Sequence, residues 1–134
     1  YLNDRLFKFN IVDSPLCSLC KLENESVLHI FCRCTITLKL WKQLQTWIPS
    51  LPSLEPEIVI LGLWKRQNTD FIIINHIILC FKRYIYVTKH KHSVNINGLK
   101  FFIKNIEKIE QKIASQKGKL DYHYKKWDAI LPKL

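Results

Sequence analysis

The sequence contains no methionine, and it has no apolar run long enough to cross a lipid bilayer. Its longest apolar stretch, residues 71–81, is interrupted by Asn75 and His76 and reaches only about half of the roughly 20 residues that a membrane-spanning helix needs. We therefore predict no membrane segment and interpret this stretch as a buried helix. Since the chain starts at Tyr1 and shows no signal-peptide pattern, we expect a part of a longer protein that acts inside the cell, in the nucleus or the cytoplasm.

Acidic side chains are scarce in the second half of the chain. Residues 1–60 contain six Lys or Arg and six Asp or Glu, whereas residues 61–134 contain fifteen basic and five acidic residues. The whole net charge of +10 therefore belongs to the second part. Such a charge attracts polyanions, so we predict RNA or single-stranded DNA as the partner and no small-molecule substrate. The hydrophobic content of 48% is that of a folded protein and excludes general disorder.

The five cysteines are an odd number, which disfavours a complete disulfide framework and favours metal ligation or free thiols. Cys17 and Cys20 have the C-x2-C spacing at which a tight turn directs two thiolates at one zinc ion. His29 supplies a third ligand, and either Cys32 or Cys34 could supply the fourth. In an α-helix Cys34 would lie about 140° around the axis from His29, so Cys34 can bind only if the helix ends near residue 33. Four protein ligands close the coordination shell, and we therefore predict a structural zinc ion.

Hydrophobic periodicity predicts a mainly α fold, in which a small zinc-bound lobe of helices and turns is followed by a helical lobe. Prolines in residues 49–57 predict a linker between a zinc-binding segment, residues 1–48, and a basic helical region, residues 58–134, although the two can still pack as one compact unit. Residues 58–64 fit either a short strand or a helical turn. The predicted helices are Leu2–Phe9, a short helix from Glu25 capped by Asn24 or Ser26, Thr35–Trp47 with Leu38, Trp41, Leu44 and Ile48 on its buried face, and Phe71 to about Lys89.

An apolar residue recurs at every seventh position from Leu99 to Trp127. This repeat predicts one long C-terminal helix, or two nearly coaxial helices hinged at Gly118.

Basic and aromatic residues of the second half are the candidate nucleic-acid contacts. Lysines at four-residue intervals from Lys100 to Lys112 share one helix face, and the rings of Tyr84 and Tyr86 could stack on unpaired bases. The alternatives are a solvated helix surface for the lysines and half-buried packing for the tyrosines. The full set of candidates is Lys82, Arg83, Tyr84, Tyr86, Lys89, Lys91, Lys100, Lys104, Lys108, Lys112, Lys125 and Lys126.

The segment DSPLCSLCKLENESVLHIFCRCTITLKLW resembles the zinc-binding segment that follows the reverse transcriptase domain in non-LTR (LINE-type) retrotransposon polyproteins. The shared elements are Cys17 and Cys20, Glu25-Ser26, His29-Ile30-Phe31, Cys34 and Trp41. The resemblance implies that Cys34 is the fourth zinc ligand and that Cys32 belongs to the core. It also implies a non-catalytic C-terminal region that grips template RNA or target DNA during target-primed reverse transcription, with the rest of the polyprotein as a partner.

Two other functions fit parts of the sequence. Residues 110–112 have the E-x-K form found in some nucleases, but they lie in a helical pattern with no Pro-Asp step on a preceding strand, which argues against an enzyme. The apolar face from Leu99 to Trp127 could instead pair with another helix, which would make the chain a protein-interaction module with a structural zinc ion.

Overall fold

A computed structural model describes residues 1–62, 70–91, 94–128 and 130–134. Within these ranges the chain is helical and contains no strand, apart from one isolated bridge between Leu16 and Asn24. The predicted mainly α fold, with a zinc-binding cluster in the N-terminal part followed by helices, is confirmed. The elements are α1 (Asn3–Lys8), a π-helical turn (His29–Arg33), α2 (Thr35–Trp47), α3 (Pro56–Leu61), α4 (Asp70–Thr88), α5 (Ile96–Gln116), α6 (Leu120–Trp127) and a final 3-10 turn (Leu131–Lys133).

Helix α2 has the predicted bounds. Its buried face holds Leu40, Trp41 and Leu44, and Ile48 follows on the same side. Leu38, which we predict on this face, is only partly buried. The buried face is centred on Trp41 and Leu44, and Leu38 lies at its edge. The Trp41 ring meets Phe81 of α4 edge-on, with 4.9 Å between centroids, so α2 packs directly against the second half of the chain.

The proline-rich segment is fastened to α2. Two side chains of α2, Trp41 and Gln45, donate hydrogen bonds to the Pro52 carbonyl at 3.1 and 2.9 Å. Helix α3 then begins at Pro56, where the absent N–H costs nothing. Of the two alternatives for residues 58–64, the helical turn is observed as far as Leu61, and residues 63 and 64 lie outside the described residues.

The core is centred on α4. Ile77, Phe81 and Ile85 are fully buried, and they belong to a cluster of buried side chains that extends into every other long helix. Each such side chain contributes about 1.5–3 kcal/mol when it leaves water. The cluster contains residues from both sides of the proline-rich segment, while the division of the chain at residues 49–57 stays a prediction. No helix in the described ranges is both long enough and apolar enough to pass through a membrane.

The two C-terminal helices, α5 and α6, pack against each other. The chain breaks at Gly118, as one alternative predicted, but α6 turns back along α5. The ring of His123 lies 2.8 Å from Glu107, and Trp127 Nε1 donates to Glu110 at 2.8 Å. Residues so far apart in sequence would be separated by about 24 Å along a continuous helix, so the coaxial arrangement is wrong. Gly118 has φ +67°, a left-handed conformation that ends α5 and permits the reversal.

A polar cluster joins α4, α5 and α6. Glu110 accepts the Trp127 N–H and lies 3.3 Å from both His76 Nε2 and Lys126 Nζ. Burial is the main cause that lowers the pKa of His76, and only the Glu110 charge acts against it. Burial alone would raise the pKa of Glu110, but the Trp127 hydrogen bond and the His76 and Lys126 charges lower it overall. Both groups therefore bind protons more readily in the unfolded chain than in the folded protein.

We predict that acidification destabilises this cluster in two steps. The contribution of His76 is fully present above its unfolded pKa, near 6.5, and is lost as the pH falls from that value through the lowered pKa of the folded state. The contribution of Glu110 is lost in the same way below its unfolded pKa of about 4.5. The free energy of unfolding, measured with denaturant at each pH, should fall between pH 7.5 and 5.5. His76→Gln should flatten this dependence, and since both proteins keep the same His29 site, their difference isolates His76. Identical pH profiles would contradict the prediction.

Candidate metal centre and candidate nucleic-acid surface

A tight hairpin presents the first two thiols. Cys17 N–H donates to the Glu23 carbonyl at 2.8 Å, and Lys21 N–H donates to the Cys17 carbonyl at 3.0 Å. Lys21 has φ +58°, so the chain reverses immediately after Cys20. The two sulfur atoms therefore lie within one turn and point the same way, as the C-x2-C spacing predicts.

A π-helical turn presents the other two ligands. Ser26 Oγ accepts the His29 N–H at 3.1 Å, which identifies Ser26 rather than Asn24 as the cap. The Cys34 N–H then donates to the His29 carbonyl at 2.7 Å, five residues back instead of four. Cys34 itself has an extended backbone (φ −61°, ψ 132°). The wider turn and the exit at Cys34 bring its sulfur to the His29 side, which an uninterrupted α-helix would not do.

The four ligand atoms form a compact cluster. The sulfurs of Cys17, Cys20 and Cys34 and a ring nitrogen of His29 all lie within 4.8 Å of one another. Cys17 Sγ and Cys34 Sγ are 3.8 Å apart, and Cys20 Sγ is 3.2 Å from His29 Nε2. A tetrahedral zinc ion with Zn–S bonds of about 2.3 Å requires sulfur pairs about 3.8 Å apart. The donor set and the spacing fit a structural zinc ion, and buried Cys32 is not part of the cluster.

The start of α2 stabilises negative charge on Cys34. The Cys17 thiol donates to Cys34, and the N–H groups of Thr37 and Ile36 also point at its sulfur. Together these donors outweigh burial and lower the pKa of Cys34 to about 5. The pKa of Cys17 is raised, first because its proton is shared with Cys34 and second because the group is buried. One proton therefore remains on this pair and must leave when zinc binds.

A carboxylate lies behind the histidine ligand. His29 Nδ1, the nitrogen that faces away from the cluster, is 3.2 Å from Glu23 Oε2. Within the described ranges Nδ1 has no hydrogen bond of good geometry, so Glu23 acts mainly through its charge. Such an outer carboxylate favours the tautomer in which Nε2 is free to bind the metal.

Glu25 connects the metal centre to the helices. Its carboxylate is fully buried and accepts the Asn3 N–H at 2.8 Å, the Ser18 N–H at 2.9 Å and the Lys89 ammonium at 2.7 Å. Burial would raise the pKa of Glu25, but Lys89 and the N–H groups of Ser18 and Asn3 lower it overall. Three segments, the start of α1, the C-x2-C turn and the end of α4, are thus held by one charge.

Two candidate nucleic-acid contacts lie inside the protein. Lys89 is only 2% exposed because it pairs with Glu25, and buried Tyr84 packs against Phe102 and donates to the Asn95 carbonyl at 3.1 Å. The structure therefore removes both from the candidate surface. The remaining candidates are exposed (Arg83, Tyr86, Lys91, Lys108, Lys112 and Lys125) or partly exposed (Lys82, Lys100, Lys104 and Lys126).

Two of the partly exposed lysines have other partners. Lys82 donates to the Val59 carbonyl at 2.7 Å, and Lys126 lies against Glu110.

The sequence did not predict the roles of two acidic residues, Glu23 beside His29 and Glu25 beside Lys89. Glu25 was part of the family resemblance, but its ion pair with Lys89 is visible only in the structure.

Residues 1–41 match the protein family described as zinc-binding in reverse transcriptase. This range contains all four ligands, α1 and the first half of α2. The match confirms the predicted resemblance to a zinc-binding segment of reverse transcriptases. The assignment to the non-LTR class stays a prediction. No curated protein and no solved structure matches the chain.

We predict that Cys34 and Cys32 behave differently when substituted. Cys34→Ser should release zinc and lower the unfolding temperature strongly, because a structural zinc site contributes its binding energy to folding. Cys32→Ser should keep the metal and lose only the packing of one buried sulfur. The measurement is metal content by mass spectrometry together with thermal unfolding. Equal zinc loss in both variants would contradict the assignment of Cys34.

We predict a large cost for removing the Glu25 charge. Glu25→Gln leaves the Lys89 ammonium buried without a counter-charge and should lower the free energy of unfolding by about 3–5 kcal/mol. Glu55→Gln, an exposed site, is the matched control and should change it by less than about 0.5 kcal/mol. The double variant Glu25→Gln/Lys89→Met should recover part of the loss. Equal costs for the two single variants in denaturant titrations would refute the coupling.

Proposed function

We propose that this chain is the zinc-containing, non-catalytic C-terminal region of a non-LTR-type reverse transcriptase, where it holds template RNA or target DNA during target-primed reverse transcription. The match of residues 1–41 supports the association with reverse transcriptases. The net charge of the second half supports the polyanionic partner. A closed set of four zinc ligands leaves no open position for a substrate, which supports a structural role for the metal.

The observation that carries this proposal is the separation of charges on α5. Both acidic residues of the helix turn inward: Glu107 pairs with His123, and Glu110 contacts α4 and α6. The lysine stripe, defined as Lys100, Lys104, Lys108 and Lys112, turns by about 120° around the same helix. Lys108 and Lys112 are exposed, and Lys100 and Lys104 are partly exposed. Within the described ranges, no carboxylate lies within 4 Å of these ammonium groups. The stripe therefore keeps its full charge for an external partner.

The stripe suits a phosphate backbone. Its members recur at intervals of about 6 Å along the helix axis, and each offers a compact positive charge. Such contacts release counterions from nucleic acid and hold a strand without reading its sequence. Lys100 is the exception, because its ammonium lies 5.2 Å above the Trp47 ring and is partly occupied there. Lys104, Lys108 and Lys112 are the contacts that we consider most important.

The zinc centre braces a second basic area. The Glu25–Lys89 pair ties the C-x2-C turn to the end of α4, next to exposed Lys91 and Tyr86. Lys89 Nζ also lies 5.6 Å from the Tyr86 ring. Loss of zinc should therefore disturb this end of α4 as well as the metal loop.

The alternative is a protein-interaction module that docks onto the rest of the polyprotein. The seven-residue face does not favour it, because Leu99 and Trp127 are buried in the core of the chain itself. A different surface does: Ile72, Leu79 and Tyr86 are exposed at seven-residue intervals along α4. Apolar side chains at this spacing can pack against another helix.

We predict that the lysine stripe dominates nucleic-acid binding. Lys104, Lys108 and Lys112 replaced together by Gln should weaken binding of a single-stranded RNA on the order of tenfold at moderate salt. They should also reduce the slope of log affinity against log salt by about 2, since three phosphate contacts are lost. The matched control replaces three exposed lysines of the first half, Lys21, Lys39 and Lys42, and removes the same charge. Fluorescence anisotropy across a salt series measures both quantities.

Equal effects of the two triple variants would show that overall charge, and not the stripe, governs binding. Absence of binding by the unsubstituted protein in low salt, combined with a dimer that persists in high salt, would instead favour the interaction module.

A further inference from the structure

One aromatic side chain on α5 is exposed among the lysines. Phe101 has 66% of its surface accessible, although its neighbour Phe102 packs inward against Tyr84. The 100° step between consecutive helical residues separates the two rings onto different faces. A single exposed apolar residue needs no special explanation in general, so its position on the helix decides its meaning.

Phe101 lies within the arc that the lysine stripe occupies, between Lys108 and Lys112. At 100° per residue, Lys108 and Lys112 are each about 20° from Phe101 around the axis, and Lys104 is about 60° away. Along the axis, Lys104 lies about 4.5 Å and Lys108 about 10.5 Å further on. An apolar ring and the charges that follow it therefore form one continuous surface.

We propose that Phe101 stacks on an unpaired base of a single-stranded nucleic acid whose phosphates follow the lysine stripe. This inference rests on the proposed function and names its substrate class. Aromatic rings beside backbone-binding cations are the usual means of holding single strands, since every base offers a π face. A duplex hides these faces between its stacked base pairs, so a ring beside its phosphates has no base face to stack on. An apolar protein surface is a poor alternative, because docking on Phe101 would remove the surrounding ammonium groups from water without a counter-charge.

The test compares single-stranded and duplex ligands with Phe101 variants of the full chain. Phe101→Ala should weaken binding of an oligo(A) RNA and of the corresponding single-stranded DNA by about fivefold to a hundredfold, the range observed for the loss of one base–aromatic stack. The salt slope should stay unchanged, since no phosphate contact is lost. Binding of a blunt duplex of the same length should also stay unchanged. Phe101→Trp should restore binding of the single strands.

Two further variants complete the design. Ile113→Ala is the matched control, because Ile113 is also exposed on α5, at 47%, but lies about 120° from Phe101 around the axis. It should leave binding unaltered. Phe101→Leu keeps the apolar bulk without the π face, so it should bind as weakly as Phe101→Ala while retaining the unfolding temperature of the parent protein.

The outcomes distinguish the stacking role of Phe101 from the proposed function. If the lysine variants lose affinity but Phe101→Ala behaves like Ile113→Ala, the stacking role is overturned and the proposed function survives. Equal losses for single strands and duplex would also overturn stacking, as would full binding by Phe101→Leu. If neither the lysine variants nor the Phe101 variants differ from the parent protein in binding, both the stacking role and the proposed function are overturned.

Discussion

The buried carboxylate of Glu25 joins parts of the molecule that are distant in sequence. It receives N–H groups from Asn3 and Ser18 and the ammonium of Lys89, so the metal loop cannot move without disturbing α1 and α4. A buried charge is stable only when such partners surround it. The contacts of Glu25 with α1, the C-x2-C turn and Lys89 should therefore form or be lost together. The position of the C-x2-C turn relative to α1 and α4 depends on this contact.

The metal centre and the basic surface have complementary electrostatic designs. At the metal centre, thiolate charge is stabilised at the start of α2, and a bound zinc ion would balance it. On α5 the opposite occurs: Glu107 and Glu110 are withdrawn into contacts with α4 and α6, and positive charge is left outside. The packing of α6 against α5 keeps the acidic groups inside, because His123 and Lys126 of α6 are the partners of Glu107 and Glu110.

Local features of the fold could be predicted from the sequence, and long-range ones could not. The bounds of α2 and the C-x2-C turn follow from periodicity and spacing that span a few residues. The α5–α6 reversal was not predictable from the seven-residue repeat, because Trp127 satisfies the repeat although it lies on a separate helix and contacts Glu110 of α5. Nor could the burial of Lys89 be foreseen, since it depends on Glu25, which is sixty-four positions earlier in the chain. Lysine alone in a sequence indicates a solvated residue.

The π-helical turn at His29–Arg33 fixes the number of residues between His29 and Cys34. Because the fifth residue of that turn is the one that carries Cys34 to the correct side, removing one residue would restore a regular α-helical turn and direct the sulfur elsewhere. Residues 10–14, which follow α1, are mostly exposed and make only local hydrogen bonds within the described part of the chain, so their number is less constrained. Small differences in length should accumulate there during evolution, while the interval from the imidazole to the last thiol stays fixed.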